Sequence, residues 1–285
     1  MRVRVENVRF HYRLGEPVLK GVTLDFEGEA TAIIGQNGAG KSTLVRLING
    51  LLKPVSGEVR VGDWNTGDFS VARLARRVGL VFQNPNDQVF KSVVRDEVMF
   101  GPKNLGMSGD TALASSREAL ADVGLEGAMD ANPYDLSLAE RKLVSIASVV
   151  AMNTDVVIFD EPTIAQDYAG VQRIGTLIEK LKARGKLIIA ITHDMDFVAE
   201  IFPRAVVLRR GEVIIDGSTR EVFSRPDLLR DSFVEPPHAT QLGQALGLSE
   251  TVLSVDEAVK GIKGHRSRLG GLAGSDTAHD QQFFQ

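Results

Sequence analysis

The stretch Gly35-Gln36-Asn37-Gly38-Ala39-Gly40-Lys41-Ser42-Thr43 constrains this chain more than any other feature. It satisfies the pattern G-x4-G-K-[ST], in which glycines let backbone N–H groups close around phosphates. The pattern needs a strand before it and a helix after it. Ala30-Thr31-Ala32-Ile33-Ile34 reads as a buried strand, and Ser42 to Ile48 reads as a helix. The helix N-terminus adds a partial positive charge. On this reading Asn37, Gly38, Gly40, Lys41, Ser42 and Thr43 hold a nucleoside triphosphate, ATP or GTP. Lys41 reaches the β and γ phosphates and Ser42 ligates Mg2+. A glycine-rich turn that matches by chance is the alternative, and the flanks argue against it.

A chain of 285 residues accommodates one large α/β domain with an appendage. Its net charge of −4 supplies no general basic field, so nucleic acid is not an expected partner. Without cysteine there is neither a disulfide nor a thiolate metal site. The five histidines show no His-x3-His or similar ligand spacing. The start, Met1-Arg2-Val3-Arg4-Val5-Glu6, alternates like a strand and lacks a signal peptide's apolar core. No apolar run reaches the length of a membrane span. A cytosolic protein is expected, with any membrane association made through a partner.

Val3, Val5, Val8, Phe10 and Tyr12, then Val22, Leu24 and Phe26, predict an opening antiparallel sheet. Gly57–Gly62 and Val78–Phe82 read as strands, and helical patterns dominate from about 90 to 150. Val156–Phe159 and Leu187–Ile191 are continuous apolar runs, as expected of strands covered on both faces. Val171, Ile174, Leu177, Ile178 and Leu181 sit at helical spacing, and Val206–Ile215 reads as a hairpin turning at Arg210-Gly211. Strands alternating with helices predict a parallel sheet core. Leu242, Leu246 and Leu248 suggest an amphipathic stretch, and Ser254-Val255-Asp256-Glu257 a helix start with a capping box. From about 264 the composition of Gly, Ser and Asp predicts a mobile tail.

Asp160-Glu161 closes an apolar strand, which places both carboxylates in the crevice where ligands of α/β sheets bind. Asp160 is expected to hold Mg2+ through water, and Glu161 to polarise an attacking water. The plain alternative is an acidic turn capping the next helix. His193, just past another strand, is placed to hydrogen-bond a γ-phosphate, although a lone histidine is more often structural. Gln83, past a third strand, is placed to touch Mg2+ or the water.

In this order, these residues resemble the ATP-binding cassette (ABC) ATPases. The pattern comprises the phosphate loop 35–43, a Q-loop at Gln83, Asp160-Glu161-Pro162-Thr163 and a switch histidine at His193. The resemblance covers roughly residues 1–225 and implies an ABC nucleotide-binding fold. That fold is α/β, with a mixed sheet core, an antiparallel β subdomain and an inserted helical subdomain at about 84–150. Residues 226–285 then form a small C-terminal extension. Tyr12 matches the family's adenine-stacking aromatic. Phe82-Gln83-Asn84-Pro85-Asn86-Asp87-Gln88-Val89-Phe90 and Asp96–Gly106 look like the energy-coupling factor (ECF) subgroup, which imports vitamins or transition-metal ions. Pro236-Pro237-His238-Ala239-Thr240-Gln241-Leu242 resembles that subgroup's C-terminal extension, which contributes to dimer contacts.

The resemblance implies ATP with Mg2+ and hydrolysis driving transport. It also implies three partners: a second ABC subunit, a transmembrane coupling protein and a substrate-binding membrane subunit. The expected location is peripheral, on the cytoplasmic face of the membrane. Two departures stand out. The family signature Leu-Ser-Gly-Gly-Gln reads Leu136-Ser137-Leu138-Ala139-Glu140 here, and the D-loop reads Ile164-Ala165-Gln166-Asp167, keeping Asp167. ABC subunits pair head to tail, each signature serving the partner's nucleotide, so a heterodimer is expected over a homodimer. A nucleotide-gated regulatory subunit with little hydrolysis and a soluble non-transport ABC ATPase are the alternatives.

Overall fold

Val3, Val5, Val8 and Phe10 are buried along β1 (Arg2–His11), as are Leu19, Val22, Leu24 and Phe26 along β2 (Pro17–Glu27). These strands pair antiparallel, Val3 opposite Phe26 and Val5 opposite Leu24. The register shifts between Val5 and Val8, where Asn7 takes φ 47°. That irregularity is why the apolar period slips there while both sides of the slip stay buried.

The computed structural model describes residues 1–273. After β2 come β3 (Thr31–Ile34), α1 (Lys41–Ile48), β4 (Ser56–Val61), β5 (Trp64–Asn65), the short α2 (Val71–Leu74) and β6 (Val78–Val81). A helical stretch follows, with α3 (Val94–Asn104), α4 (Gly109–Asp122) and α5 (Leu138–Val150). The chain then returns through β7 (Val156–Asp160), α6 (Tyr168–Ala183), β8 (Leu187–Ile191) and α7 (Met195–Ile201). Next come the hairpin of β9 (Arg204–Arg209) and β10 (Glu212–Ser218), then α8 (Thr219–Phe223), α9 (Pro226–Asp231), α10 (His238–Ala245) and α11 (Val255–Ala273).

Two sheets result. One is antiparallel, in the order β2-β1-β4-β5. The other has the order β10-β9-β3-β8-β7-β6, parallel except for β10 at its edge. The hairpin turn is at Arg210-Gly211, both with positive φ (49° and 85°), the backbone such tight turns require.

The continuous apolar runs have a direct cause. In β7, Val156 and Ile158 enter one hydrophobic cluster, with α1 and the antiparallel sheet. Val157 and Phe159 enter the other, with α5 and α6. β8 divides in the same way, with Leu187, Ile189 and Ile191 on one side and Ile188 and Ala190 on the other. Every position of the runs Val156–Phe159 and Leu187–Ile191 faces a core, so none of them is polar.

The C-terminal segments dock by polar ties. His238 Nδ1 lies 2.8 Å from Asp196 Oδ2 on α7, and Arg220 on α8 pairs with Glu257 on α11 at 2.8 Å. The expected helix start after Ser254 is present, with the Glu257 N–H donating to Ser254 Oγ at 3.2 Å. Two expectations change. α10 buries Ala239, Thr240 and Gly243, while Leu242 and Leu246 stay exposed. Its inner face is made of small residues because Val252 packs close to Gly243 and its carbonyl accepts the Thr240 hydroxyl at 2.5 Å. Helix α11 also continues to Ala273, so the tail expected from about 264 starts within a helix. The rest of that expectation, 274–285, lies outside the described residues.

The carboxyl ends of β3, β6, β7 and β8 lie along one edge of the parallel sheet. The loop 35–43, Gln83, Asp160-Glu161 and His193 leave the sheet at that edge.

Candidate active site

The phosphate loop is held by close backbone approach. Gly35 takes φ 141°, and a Cβ there would lie 2.0 Å from the Leu208 carbonyl oxygen on β9. Gly40 takes φ 105° at the N-cap of α1, with a Cβ position 2.7 Å from Leu19 Cδ2. Glycine offers no side-chain cap, so the first N–H groups of α1 remain available to an anion. Gly35→Ala is expected to destabilise the fold by about 1–3 kcal/mol through overpacking. It is also expected to weaken nucleotide binding, which thermal melting and titration of a fluorescent ATP analogue would check together.

Lys41 folds back over this loop. Its ammonium donates to the carbonyls of Gly35 (2.5 Å) and Gln36 (3.0 Å) and lies 3.3 Å from His193 Nε2. Burial lowers its pKa, opposed by the charges of Glu161 and Asp160. Asn37 and Gly38 are exposed at the tip of the loop. Tyr12 is 57 % exposed, its hydroxyl 3.2 Å from Thr43 Oγ1 and its ring edge-on to Phe10. An open aromatic face beside the start of α1 suits stacking with a base.

Asp160 and Glu161 end β7 inside the protein, and both are buried. Burial raises the Asp160 pKa, opposed first by a hydrogen bond with Ser42. Asp160 Oδ1 is buried and has no hydrogen-bond partner among the described residues. A hydroxyl and an orphaned carboxylate oxygen beside a phosphate loop fit Mg2+, a hard cation that takes one or two carboxylates plus substrate phosphates. Among the described residues no cluster of three or more His, Cys, Asp or Glu could hold a metal without such help.

Glu161 sits at φ 49°, a left-handed backbone unusual outside glycine. Burial pushes its carboxyl up to about 7, opposed by the His193 N–H and reinforced by the charge of Asp160. The His193 backbone N–H donates to Glu161 Oε2 at 3.2 Å, and His193 Nε2 lies 3.3 Å from Oε1. His193 is itself lowered by burial and by Lys41, which favours a neutral ring. The structure thus brings Lys41, Ser42, Asp160, Glu161 and His193 together. Gln83 is exposed past the end of β6.

The signature segment stands elsewhere, at the start of α5. Ser137 caps that helix: its Oγ accepts the Glu140 N–H at 3.2 Å. Glu140 Oε2 in turn accepts the Ser137 N–H (2.9 Å) and the Ser137 hydroxyl (2.7 Å). These bonds hold the Glu140 carboxyl below its ordinary pKa. Leu138 is 47 % exposed in the same turn. Asp167 caps α6 by accepting the Gly170 N–H at 2.7 Å, and Gln166 donates to the Ala139 carbonyl at 3.1 Å. The two departures from the family pattern therefore touch each other.

Sequence reasoning missed Lys142, which is 1 % exposed and donates to three backbone carbonyls. Burial lowers it to about 8, against the charges of Asp160 and Glu161. A signal was available: Lys142 precedes Ile146 by one helical repeat and so lies on the apolar face of α5.

Residues 19–164 match the ABC transporter family. The chain belongs to that family. A putative ABC transporter ATP-binding protein of Pyrococcus furiosus is 42 % identical over 91 % of this chain and 99 % of its own length. The energy-coupling factor transporter ATP-binding protein EcfA of Methanothermobacter thermautotrophicus is 35 % identical, over 90 % of this chain and 84 % of its own. Among solved structures, cbiO1 of Clostridium perfringens, part of the ABC transporter complex cbiONQ, superposes with a TM-score of 0.72. It is 34 % identical, covering 86 % of this chain and 98 % of that one. This cassette is therefore an ABC ATPase of the energy-coupling factor type, and the mixed sheet beside an antiparallel sheet is the fold of that family. Among the described residues no helix is long and apolar enough to cross a membrane.

Proposed function

We propose that this cassette is the hydrolysing member of an asymmetric ABC pair that drives an ECF-type importer of a vitamin or transition-metal ion. The observation that carries the proposal is a contrast within one chain. Lys41, Ser42, Asp160, Glu161 and His193 converge on one site, whereas the anion position at the start of α5 is taken by the cassette's own Glu140. A γ-phosphate brought there by a partner subunit meets a carboxylate at Ser137 and the Leu138 side chain where the family has glycine. A second ABC subunit with an intact signature completes the site on Lys41 and Glu161.

In that site the loop N–H groups and Lys41 bind the phosphates, and Tyr12 stacks on the adenine. Ser42 and Asp160 would hold Mg2+, and Gln83 would reach it or the water. When bound, Mg2+ would supply positive charge against that developing on the phosphate oxygens. Glu161 orients the attacking water and receives its proton, and neutral His193 hydrogen-bonds the γ-phosphate. Asp167 at the cap of α6 and Gln166 on Ala139 keep the D-loop against the signature segment.

The cassette sits on the cytoplasmic face of the membrane, and its membrane partners dock at the apolar groove past Gln83. Exposed Phe90 and Phe100 meet edge-on there, with Leu51, Val71 and Phe82 around them. Exposed Leu242 on α10 and Leu246 at its C-terminal end supply apolar surface for the second ABC subunit. The roles proposed for 1–225 and 226–285 follow this division between hydrolysis and assembly.

Glu161 must be ionised to take a proton, and its carboxyl in the free protein titrates near 7. The plot of kcat/KM against pH is therefore expected to fall as pH drops below about 7. Its acid limb should be absent from the residual activity of Glu161→Gln. A profile flat from pH 6 to 8 would contradict a base that titrates near 7 in the free protein. The pairing is tested by ATP turnover of the pure chain against its concentration. Slow turnover that does not rise on dimer formation supports the asymmetric pair, and robust turnover by two identical sites refutes it.

A further inference from the structure

Lys142 lies in the second turn of α5, among apolar Leu143, Val144, Ile146 and Ala147. Its ammonium donates to the carbonyls of Phe82 (2.7 Å), Gln83 (3.1 Å) and Asp160 (3.0 Å). An ammonium has three protons, and each is accounted for. The acceptors belong to two strand ends, one past β6 and one closing β7, the strands that lead to Gln83 and Asp160. Burying a cation is costly unless every proton finds an acceptor, and an apolar residue would fill the space more cheaply.

Other side chains also hold α5 to the loop after β6. Gln88 accepts the Phe82 N–H at 2.9 Å and donates to the Ser145 carbonyl at 2.8 Å. Arg141 donates to Asn86 Oδ1 at 2.7 Å. Those ties end at the Q-loop segment. Lys142 alone of these three also reaches the backbone of Asp160.

We propose that Lys142 is a positioning residue that fixes the Asp160 backbone to the helix bearing the signature, and so sets where Asp160 meets Mg2+. Anything that shifts the start of α5, including a partner's nucleotide or membrane subunit, then shifts the metal ligand on this cassette. The proposal rests on the reading of Asp160 as the Mg2+ ligand, and the test separates the two.

The test titrates a fluorescent ATP analogue into the full chain with and without Mg2+, for Lys142→Gln, Lys142→Met, Gln88→Ala and Asp160→Asn, with thermal melting alongside. Lys142→Gln keeps two donors in place of three and covers the case in which Lys142→Met fails to fold. Expected for Lys142→Gln is metal-free affinity within about twofold of wild type and a Mg2+ half-saturation raised at least about fivefold, roughly the effect of losing one hydrogen bond. Gln88→Ala, which cuts a tie that does not reach Asp160, should lower the melting temperature and leave the Mg2+ dependence alone. Lys142→Gln with wild-type Mg2+ dependence overturns the proposal, provided Asp160→Asn shows a large loss. So does a parallel fall of metal-free and Mg2+-supported affinity with the melting temperature, the mark of a structural role. An inert Asp160→Asn overturns the reading of Asp160 itself, and the proposal with it.

Discussion

Glu161→Gln is expected to bind ATP at least as well as the wild type and to lose turnover by about 100- to 10,000-fold, the range of a positioned general base. The substitution is nearly isosteric, and its carbonyl can still accept the His193 N–H that now reaches Glu161 Oε2 at 3.2 Å. The loop, Lys41 and Ser42 are untouched, so binding survives. What disappears is the carboxylate that takes the proton, together with a negative charge near the γ-phosphate. Both changes favour a bound, uncleaved nucleotide. Phosphate release and analogue titration on the same preparation measure the two halves of the claim. A variant that keeps more than about a tenth of wild-type turnover, well outside that range, would place the base elsewhere.

Restoring the signature is expected to have the opposite sign. In Leu138→Gly/Ala139→Gly/Glu140→Gln the carboxylate that occupies Ser137 is gone and the backbone can approach a phosphate. One or two charge-assisted hydrogen bonds, each about 1.5–3 kcal/mol, become available to the partner copy's nucleotide. At about 1.4 kcal/mol per tenfold, turnover of the chain alone should rise at least about tenfold. Stability should fall, because the Glu140 half of the capping box is lost and glycines enter the first turn of α5. Rising activity with a falling melting temperature is hard to obtain from a general improvement of the fold. Unchanged turnover would show that the signature is not what limits a homodimer.

What could be read from the sequence was local in origin. Val156–Phe159 and Leu187–Ile191 announced a sheet covered on both faces because each residue, whichever way it points, must be apolar. The phosphate loop was legible because its glycines and its flanks are contiguous. Ser254 and Glu257 were legible as a helix start because the two residues are one turn apart. The parts that were not legible depend on contacts distant in sequence. Lys142 meets Phe82 across 60 positions, and Gln166 meets Ala139 across 27. No period or spacing encodes those meetings. Leu242 and Leu246 misled for a related reason: helical spacing gives a face, and only Val252 against Gly243 decides which face is covered. The slip at Asn7 shows in the sequence as an odd spacing, but its irregular register needs the partner strand to explain it.

The most direct test of the central claim joins two copies of the chain in one polypeptide, so that each composite site is defined. In the first fusion, one half is wild type and the other carries the restored signature with Glu161→Gln. The wild-type half's Glu161 then works opposite a restored signature. In the second fusion, the half that keeps Glu161 carries the restored signature, and the other half keeps Leu138-Ala139-Glu140 with Glu161→Gln. That Glu161 then works opposite the native segment. The account predicts ATP turnover in the first fusion and about a tenfold or greater loss in the second. Equal turnover in both would contradict it, because the native signature would then serve a partner's nucleotide as well as the restored one does.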